Sequence, residues 1–145
     1  MSDFRVLSDT VLASPQIAVE DLAAARGEGV TCLVNNRPDG ESPDQPESAT
    51  MAQAAEALGL RYVHIPITHA GFSIAQVDAM VDALDGAEGK VLAYCRSGTR
   101  STLLWALAQA KRGESPEAIA TAAAQAGYDI GPVRPAIDAL AAERS

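Results

Sequence analysis

The chain has few of the residues from which metal sites, disulfide frameworks and nucleic-acid surfaces are built. Its 145 residues include two cysteines, two histidines and 11 lysines and arginines, against 19 aspartates and glutamates, for a formal net charge of −8. Two histidines, and two cysteines far apart in the sequence, support neither a metal site nor a disulfide framework. The acidic balance argues against nucleic acid or an anionic membrane as the partner. We therefore expect no metal, no nucleic acid and no membrane surface.

The sequence also lacks long apolar runs. No run approaches the roughly 20 residues that a membrane span needs, and no signal peptide is recognisable at the N-terminus. The glycines do not form a nucleotide-binding pattern, so no cofactor is expected. A low cysteine content fits a reducing compartment, and the expected location is the cytoplasm. The length predicts a single domain over residues 1–145, and the sequence leaves the oligomeric state open.

Short apolar segments alternate with helical ones. This pattern predicts an α/β fold with a central, mostly parallel sheet flanked by helices. An edge hairpin is predicted from Phe4–Leu7 and Thr10–Ala13. In such sheets, ligands bind beyond the carboxyl ends of the strands. Three loops are expected at that edge: Asn35–Asp39, Ile67–Phe72 and Cys95–Arg100.

The segment Lys90–Ser101, K-V-L-A-Y-C-R-S-G-T-R-S, carries the main functional signal. Val91–Tyr94 reads as a buried strand that ends on Cys95, and a glycine-containing loop leads into a helix predicted over Thr102–Lys111. The N–H groups of such a turn and the helix dipole favour an anion next to the sulfur. Nearby arginines favour the thiolate, which is the reactive form of cysteine. The sequence therefore predicts a nucleophilic Cys95 beside an anion-binding loop.

The residues after Cys95 supply the parts of an anion site. Arg100 is the expected clamp, since a guanidinium can pair bidentately with phosphate or sulfate oxygens. Arg96 either joins the site or is a solvated loop charge, and Ser101 either hydrogen-bonds the thiolate or caps the helix, the latter being expected. Backbone N–H groups for the cradle come from Ser97, Gly98 and Thr99.

A general acid is harder to assign. His69 lies in a loop that could reach the site, whereas the strand residue His64 is expected to be a hydrogen-bonded core residue. The loop around His69 contains no carboxylate, so Asp39 and Glu41 are the alternatives from the preceding loop. The Pro38–Gly40 stretch also reads as an ordinary turn. Cys32, in a predicted central strand, is expected to be a small buried apolar residue.

Three spaced motifs carry a family resemblance: N-N-R-P-D-G-E (Asn35–Glu41), H-I-P-I (His64–Ile67) and C-R-S-G-T-R-S (Cys95–Ser101). In this order and spacing they resemble the phosphatase-like domain family of bacterial beta-lactamase hydrolase-like proteins. The likeness extends over nearly the whole chain, through A-S-P-Q near the start and A-G-Y-D near the end. It implies a protein-tyrosine-phosphatase-like fold, with Cys95 as nucleophile, Arg96–Thr99 as cradle and Arg100 as clamp.

Two departures from that pattern keep other functions open. Tyrosine-phosphatase-type loops place five residues between cysteine and arginine, whereas here there are four, and the usual general-acid aspartate is missing after Pro66. The loop resembles equally the persulfide-carrying loop of rhodanese-type sulfurtransferases. The expected substrate is thus a small anion, either a phosphate ester cleaved through a covalent intermediate on Cys95, or thiosulfate or a persulfide. A non-enzymatic anion- or redox-sensing module is the third alternative.

Overall fold

A five-stranded sheet with helices on both faces makes up the protein. The computed structural model describes residues 3–68 and 70–143. The strands are β1 (Arg5–Ser8), β2 (Val11–Ser14), β3 (Val30–Asn35), β4 (Arg61–His64) and β5 (Lys90–Tyr94). The helices are α1 (Asp21–Gly27), α2 (Ser48–Ala57), α3 (Ile74–Gly86), α4 (Thr99–Lys111), α5 (Pro116–Gln125) and α6 (Arg134–Glu143), with a short 3-10 helix at Gly131–Val133.

The strand order explains why the loops after three strands meet. The order is β1-β2-β5-β3-β4, with β1 antiparallel to β2 and all other neighbours parallel. The edge hairpin and the mostly parallel sheet are therefore confirmed. Because β5 is central and β3 and β4 follow beside it in the same direction, the carboxyl ends of these three strands lie along one edge.

The helices form two layers because side chains alternate across each strand. Leu33 and Leu92 face α1 and α2, where they pack with Leu22 and Met51. On the opposite face, the neighbouring strand residues pack against α3 to α6, and α4 is the buried centre of that layer. The largest fully buried side chain of this layer is Trp105 of α4, which is 1% exposed.

Helix α4 begins three residues earlier than the sequence pattern predicted. Gly98 takes a left-handed conformation with φ of 90° at the N-cap, and the Thr102 N–H donates to the Gly98 carbonyl at 3.0 Å. Ser101 therefore lies inside the first turn, and the expectation that it caps the helix is wrong. Arg100 also belongs to that turn, which ties its side chain to the rigid helix rather than to a loop.

Local capping residues set the starts of two other helices. Ser73 caps α3 through a reciprocal capping box with Gln76, and Ser115 caps α5 by accepting from the Ala118 N–H. None of the helices in the described ranges is long and apolar enough to cross a membrane.

Candidate active site

A polar cleft of about 490 Å³ lies at the carboxyl edge of β3, β4 and β5. Residues from two of the predicted loops, Ile67–Phe72 and Cys95–Arg100, form its walls together with Glu41 and the first turns of α4. Its lining side chains are Glu41, Ile67, Thr68, Phe72, Arg96, Ser97, Arg100 and Leu103. The convergence of these two loops is thus confirmed, whereas no residue of the predicted stretch Asn35–Asp39 lines the cleft, and the chain after β3 reaches it two residues later, at Glu41.

Cys95 directly follows β5, at the same edge of the sheet as the cleft, and is not one of the residues that line it. The residue is 0% exposed, and its backbone N–H donates to the Ser14 carbonyl at 3.3 Å, which extends the pairing of β5 with β2 by one residue. The Gly98 N–H donates to the Cys95 Sγ at 3.1 Å. The chain therefore folds back over the sulfur within three residues, and the sulfur receives a backbone donor.

The N-terminus of α4 supplies the rest of the cradle. The first N–H groups of a helix have no partner within it, and in α4 the first bond of this kind is made by Thr102. The Thr99 N–H donates to the Ser97 hydroxyl at 3.4 Å. The N–H groups of Arg100 and Ser101 come before Thr102 in the chain, so they belong to the helix end that lacks helical hydrogen bonds. The partial positive charge of this terminus lies next to the Cys95 sulfur and stabilises negative charge there.

Arg100 lies across the cleft with its guanidinium held from one side. Its Nη1 donates to the Glu41 Oε2 at 2.8 Å and to the Ile67 carbonyl at 2.7 Å, and its Nη2 donates to the Glu41 Oε1 at 2.8 Å. A guanidinium has five N–H donors. These three bonds leave the Nε proton and one Nη2 proton, which form a second fork able to bind two oxygens of an anion.

The electrostatics agree with this orientation. The pKa of Arg100 is raised above its ordinary value, chiefly by the hydrogen bond to Glu41, and interactions with Cys95 raise it further. The guanidinium therefore stays charged and interacts with the sulfur as well as with the carboxylate.

A second arginine, whose role the sequence did not indicate, holds Glu41. Arg37 is 3% exposed, and its Nε donates to the Glu41 Oε1 at 2.8 Å. Its two terminal nitrogens donate to the Gln16 Oε1 at 2.9 Å and to the Ser42 Oγ at 3.1 Å. The N-N-R-P-D-G-E motif is recognisable in the sequence, but nothing in it indicates that its arginine is buried and bridges to A-S-P-Q.

The two guanidiniums keep Glu41 ionised. They lower the pKa of its carboxyl from 4.5 to about 2, with the hydrogen bond from Arg100 as the largest cause. A carboxyl with this pKa holds no proton at neutral pH and cannot donate one to a leaving group. Glu41 therefore serves to orient Arg100 rather than to act as a general acid.

Glu41→Gln is expected to remove a pH dependence of stability. Because the folded pKa of Glu41 is depressed, its carboxylate stabilises the fold above about pH 4.5, and this contribution is lost as pH falls towards about 2. Urea unfolding of both proteins between pH 2.5 and 6 should show their difference in unfolding free energy shrinking as pH falls. A difference that stays constant over this range would contradict the ion-pair assignment.

The other residues singled out in the sequence lie in different places. Asp39 is exposed, and its Oδ1 accepts from the Ser48 N–H at 2.7 Å at the start of α2, away from the residues that line the cleft. The His64 Nε2 lies 2.9 Å from the Arg37 carbonyl, so the expected hydrogen bond is present, but the residue is half-buried rather than in the core. Arg96 is exposed at the cleft wall. His69 lies outside the described residues.

Ser101 and Cys32, also singled out in the sequence, are both buried. The Ser101 hydroxyl is buried and finds no hydrogen-bond partner among residues 3–68 and 70–143, so it bonds neither the sulfur nor the helix end. Cys32 is buried in β3, where burial raises the pKa of its thiol, and it is free, as is Cys95. Within the same ranges no group of three histidines, cysteines or carboxylates comes together to hold a metal ion.

Tyr128 packs against the anion-binding loop and hydrogen-bonds to it. Its hydroxyl donates to the Ser97 carbonyl at 3.1 Å, and the Arg5 guanidinium lies 5.1 Å from the centre of its ring. A Cβ on Gly98 would come within 2.1 Å of the Tyr128 hydroxyl oxygen. The loop is thus packed so tightly between β2 and Tyr128 that only glycine fits at position 98.

Gly98→Ala is expected to destabilise the protein by roughly 2–5 kcal/mol, because left-handed backbone strain and overpacking add. Gly59→Ala is the matched control, since Gly59 also has a positive φ of 76°, but a Cβ at this position would meet no atom within 4 Å. Urea unfolding should show the smaller loss in the control. In the Gly98→Ala background, Tyr128→Phe should recover part of the stability; no recovery would contradict the clash.

Comparison with known proteins points to one family. The family of the beta-lactamase hydrolase-like protein, phosphatase-like domain, matches residues 3–112. A beta-lactamase hydrolase-like protein of Xylella fastidiosa is 31% identical over 126 residues, which are 86% of this chain and 29% of that protein. The chain thus spans about three tenths of the length of this curated relative.

Solved structures give the same picture at the level of the fold. A proposed phosphatase of Neisseria meningitidis superposes with a TM-score of 0.81 at 31% identity, over 95% of this chain and 98% of that one. PTPMT1, crystallised in complex with PI(5)P, superposes with a TM-score of 0.73 at 14% identity, over 98% and 99% of the two chains. The latter likeness shows the fold alone, and the predicted protein-tyrosine-phosphatase-like fold is confirmed.

Proposed function

The chain belongs to the phosphatase-like domain family of beta-lactamase hydrolase-like proteins, and we propose that it hydrolyses phosphomonoesters with Cys95 as the nucleophile. One observation carries the proposal. The Cys95 sulfur accepts from the N-cap residue of α4, and Arg100, in the first turn of the same helix, interacts with that sulfur and lines the cleft. A thiolate beside donors for two or more oxygens is the arrangement that phosphoryl transfer requires.

In the proposed reaction the Cys95 thiolate attacks the phosphorus atom of the bound ester. The S–P bond forms as the ester P–O bond breaks, and the alkoxide or phenolate leaves. Water then attacks the phosphorus, the S–P bond breaks, and the thiolate and inorganic phosphate are released. Arg100 and the N–H groups at the start of α4 bind the phosphoryl oxygens, on which negative charge resides throughout both steps.

The described part of the cleft offers no protonated carboxyl for the leaving group, because Glu41 is its one carboxylate and is ionised. We therefore propose that the leaving oxygen takes its proton from solvent. Aryl phosphates with acidic phenols should therefore be turned over much faster than alkyl phosphates of similar size. A steep fall of kcat with rising pKa of the leaving phenol would agree with this proton route.

Rapid quench followed by intact mass measurement tests the proposal. During turnover of an aryl phosphate, the protein should gain the mass of one phosphoryl group, and alkylation should show that Cys95 carries it. Release of phosphate with no such gain, in protein whose Cys95 remains fully alkylatable during turnover, would contradict nucleophilic attack by the sulfur.

Sulfur transfer is a second candidate because of the length of the loop. Only Arg96–Thr99 separate Cys95 from Arg100, and α4 already begins at Thr99, so the cradle is small. A terminal persulfide sulfur needs less room than a phosphoryl group, and sulfite leaves without protonation. Incubation with thiosulfate would then add one sulfur atom to the intact mass, and cyanide would remove it. No gain in protein with a reactive Cys95 would exclude this reaction for thiosulfate.

A further inference from the structure

An apolar groove of about 410 Å³ lies beside the cleft, between the start of α3, the middle of α4 and the face of α6. Its floor is formed by the buried side chains Val77, Leu107 and Val133. Ile74, which is 74% exposed, lies on its rim together with the exposed Ala136. An isoleucine exposed to this extent at the edge of an apolar groove is typical of a binding surface rather than of a solvated helix.

The groove and the cleft are neighbours. Phe72 lines both of them. Leu103 of the cleft and Leu107 of the groove are one turn apart on α4 and share one face of that helix with Arg100. Since a helix rises about 1.5 Å per residue, the apolar floor at Leu107 lies about 10 Å along the helix from the anion clamp. The cleft with its charged clamp and the apolar groove thus lie side by side along α4.

We infer that this groove binds the leaving group of the substrate, and that the substrate class is a phosphomonoester with an extended apolar body. This inference rests on the proposed function. The amphiphilic surface matches such a molecule, because the phosphate fits at the positive end and its body along Phe72 and Leu107. The described part of the cleft holds no protonated carboxyl, and such a groove also favours turnover, since binding energy from a remote part of the substrate can lower the barrier at the reacting centre.

Two ligand series test the inference independently of each other. In 4-alkylphenyl phosphates, chain length changes from methyl to octyl while the phenol keeps nearly the same acidity, so kcat/KM reports the groove rather than the leaving group. Alkylphosphonates of the same lengths are not hydrolysed, and calorimetry gives their Kd. Each added methylene should improve either quantity by up to about fourfold until the groove is filled.

Matched variants test whether the chain-length dependence arises in the groove. Ala136→Glu places a charge in the groove from an exposed position on α6, and Ala124→Glu places the same charge at an exposed position on α5 outside it. The chain-length dependence should be lost in Ala136→Glu and kept in Ala124→Glu. Turnover of the methyl compound and binding of methylphosphonate should be the same in both variants, because neither residue touches the cleft.

The possible failures are distinguishable. Turnover without a chain-length effect in the wild type, or an effect that Ala136→Glu leaves unchanged, overturns the inference and leaves the proposed function standing. Chain-dependent phosphonate binding without turnover rejects the hydrolytic function and supports the groove as the apolar subsite. If chain length has no effect and Ala136→Glu instead abolishes self-association in sedimentation, the groove belongs to a second copy of the chain, and the inference is wrong.

Discussion

Replacing Cys95 by serine is expected to reduce turnover by a factor on the order of 10⁴ to 10⁶, the range seen when a covalent nucleophile is removed. A serine hydroxyl stays protonated in this site, and no base within the described cleft is free to accept its proton, because Glu41 is engaged by two guanidiniums. The cradle itself is built from backbone and Arg100, so inorganic phosphate should still bind. Steady-state turnover and calorimetry with phosphate measure the two effects separately.

Cys32→Ala is the matched control for Cys95→Ser. Cys32 is 1% exposed in β3, and burial raises the pKa of its thiol, so it is an unreactive core residue. The substitution removes one sulfur from the interior and should leave kcat within about twofold at temperatures where the fold is intact. If Cys95→Ser kept most of the activity in protein that binds phosphate normally, the covalent route would be wrong under either chemistry. A non-enzymatic anion-binding role requires that Cys95→Ser preserve all biological activity.

Much of the fold could be predicted because its signals are local. Short apolar strands alternating with helices predict the parallel sheet, and the serines at positions 73 and 115 mark two helix starts. The start of α4 could not be placed from these signals. That start is set by Gly98, whose left-handed backbone closes the turn against Tyr128. The hydrogen bond from Tyr128 to the Ser97 carbonyl joins residues 31 positions apart, so no local signal indicates it.

The candidate site could likewise be predicted only where its signals are local. Cys95 and Arg100 lie in one short segment and are identifiable from it, because the strand end, glycine and helix start are all visible locally. The contact of Arg100 with Glu41 joins positions 59 apart, and that of Arg37 with Gln16 joins positions 21 apart. Nothing local indicates such pairs, since an arginine and a glutamate in polar loops are usually solvated. The Arg37–Glu41–Arg100 arrangement therefore emerges only from the tertiary structure.

Arg100→Ala is expected to lower kcat/KM by about 10²- to 10³-fold or more, through loss of a charge-assisted contact to the oxygens of the transferred group. Arg100→Lys should recover only a small part of the activity, because an ammonium is a point charge and cannot present the fork left open beside Glu41. Turnover of one aryl phosphate by the three proteins measures this order. Arg96→Ala, in the same loop but with an exposed side chain, should cost only a few-fold.

A second effect must be separated from the loss of the clamp. Without Arg100, the Glu41 carboxylate keeps Arg37 as a partner but faces the cleft with a free oxygen, and its charge repels an incoming anion. The double variant Arg100→Ala with Glu41→Gln removes this repulsion. If Arg100 is the clamp, the double variant should remain at least about 10²-fold below the wild type, since the missing donors are not restored. Recovery to near wild-type turnover would show that Arg100 serves only to neutralise Glu41, and the clamp assignment would be wrong.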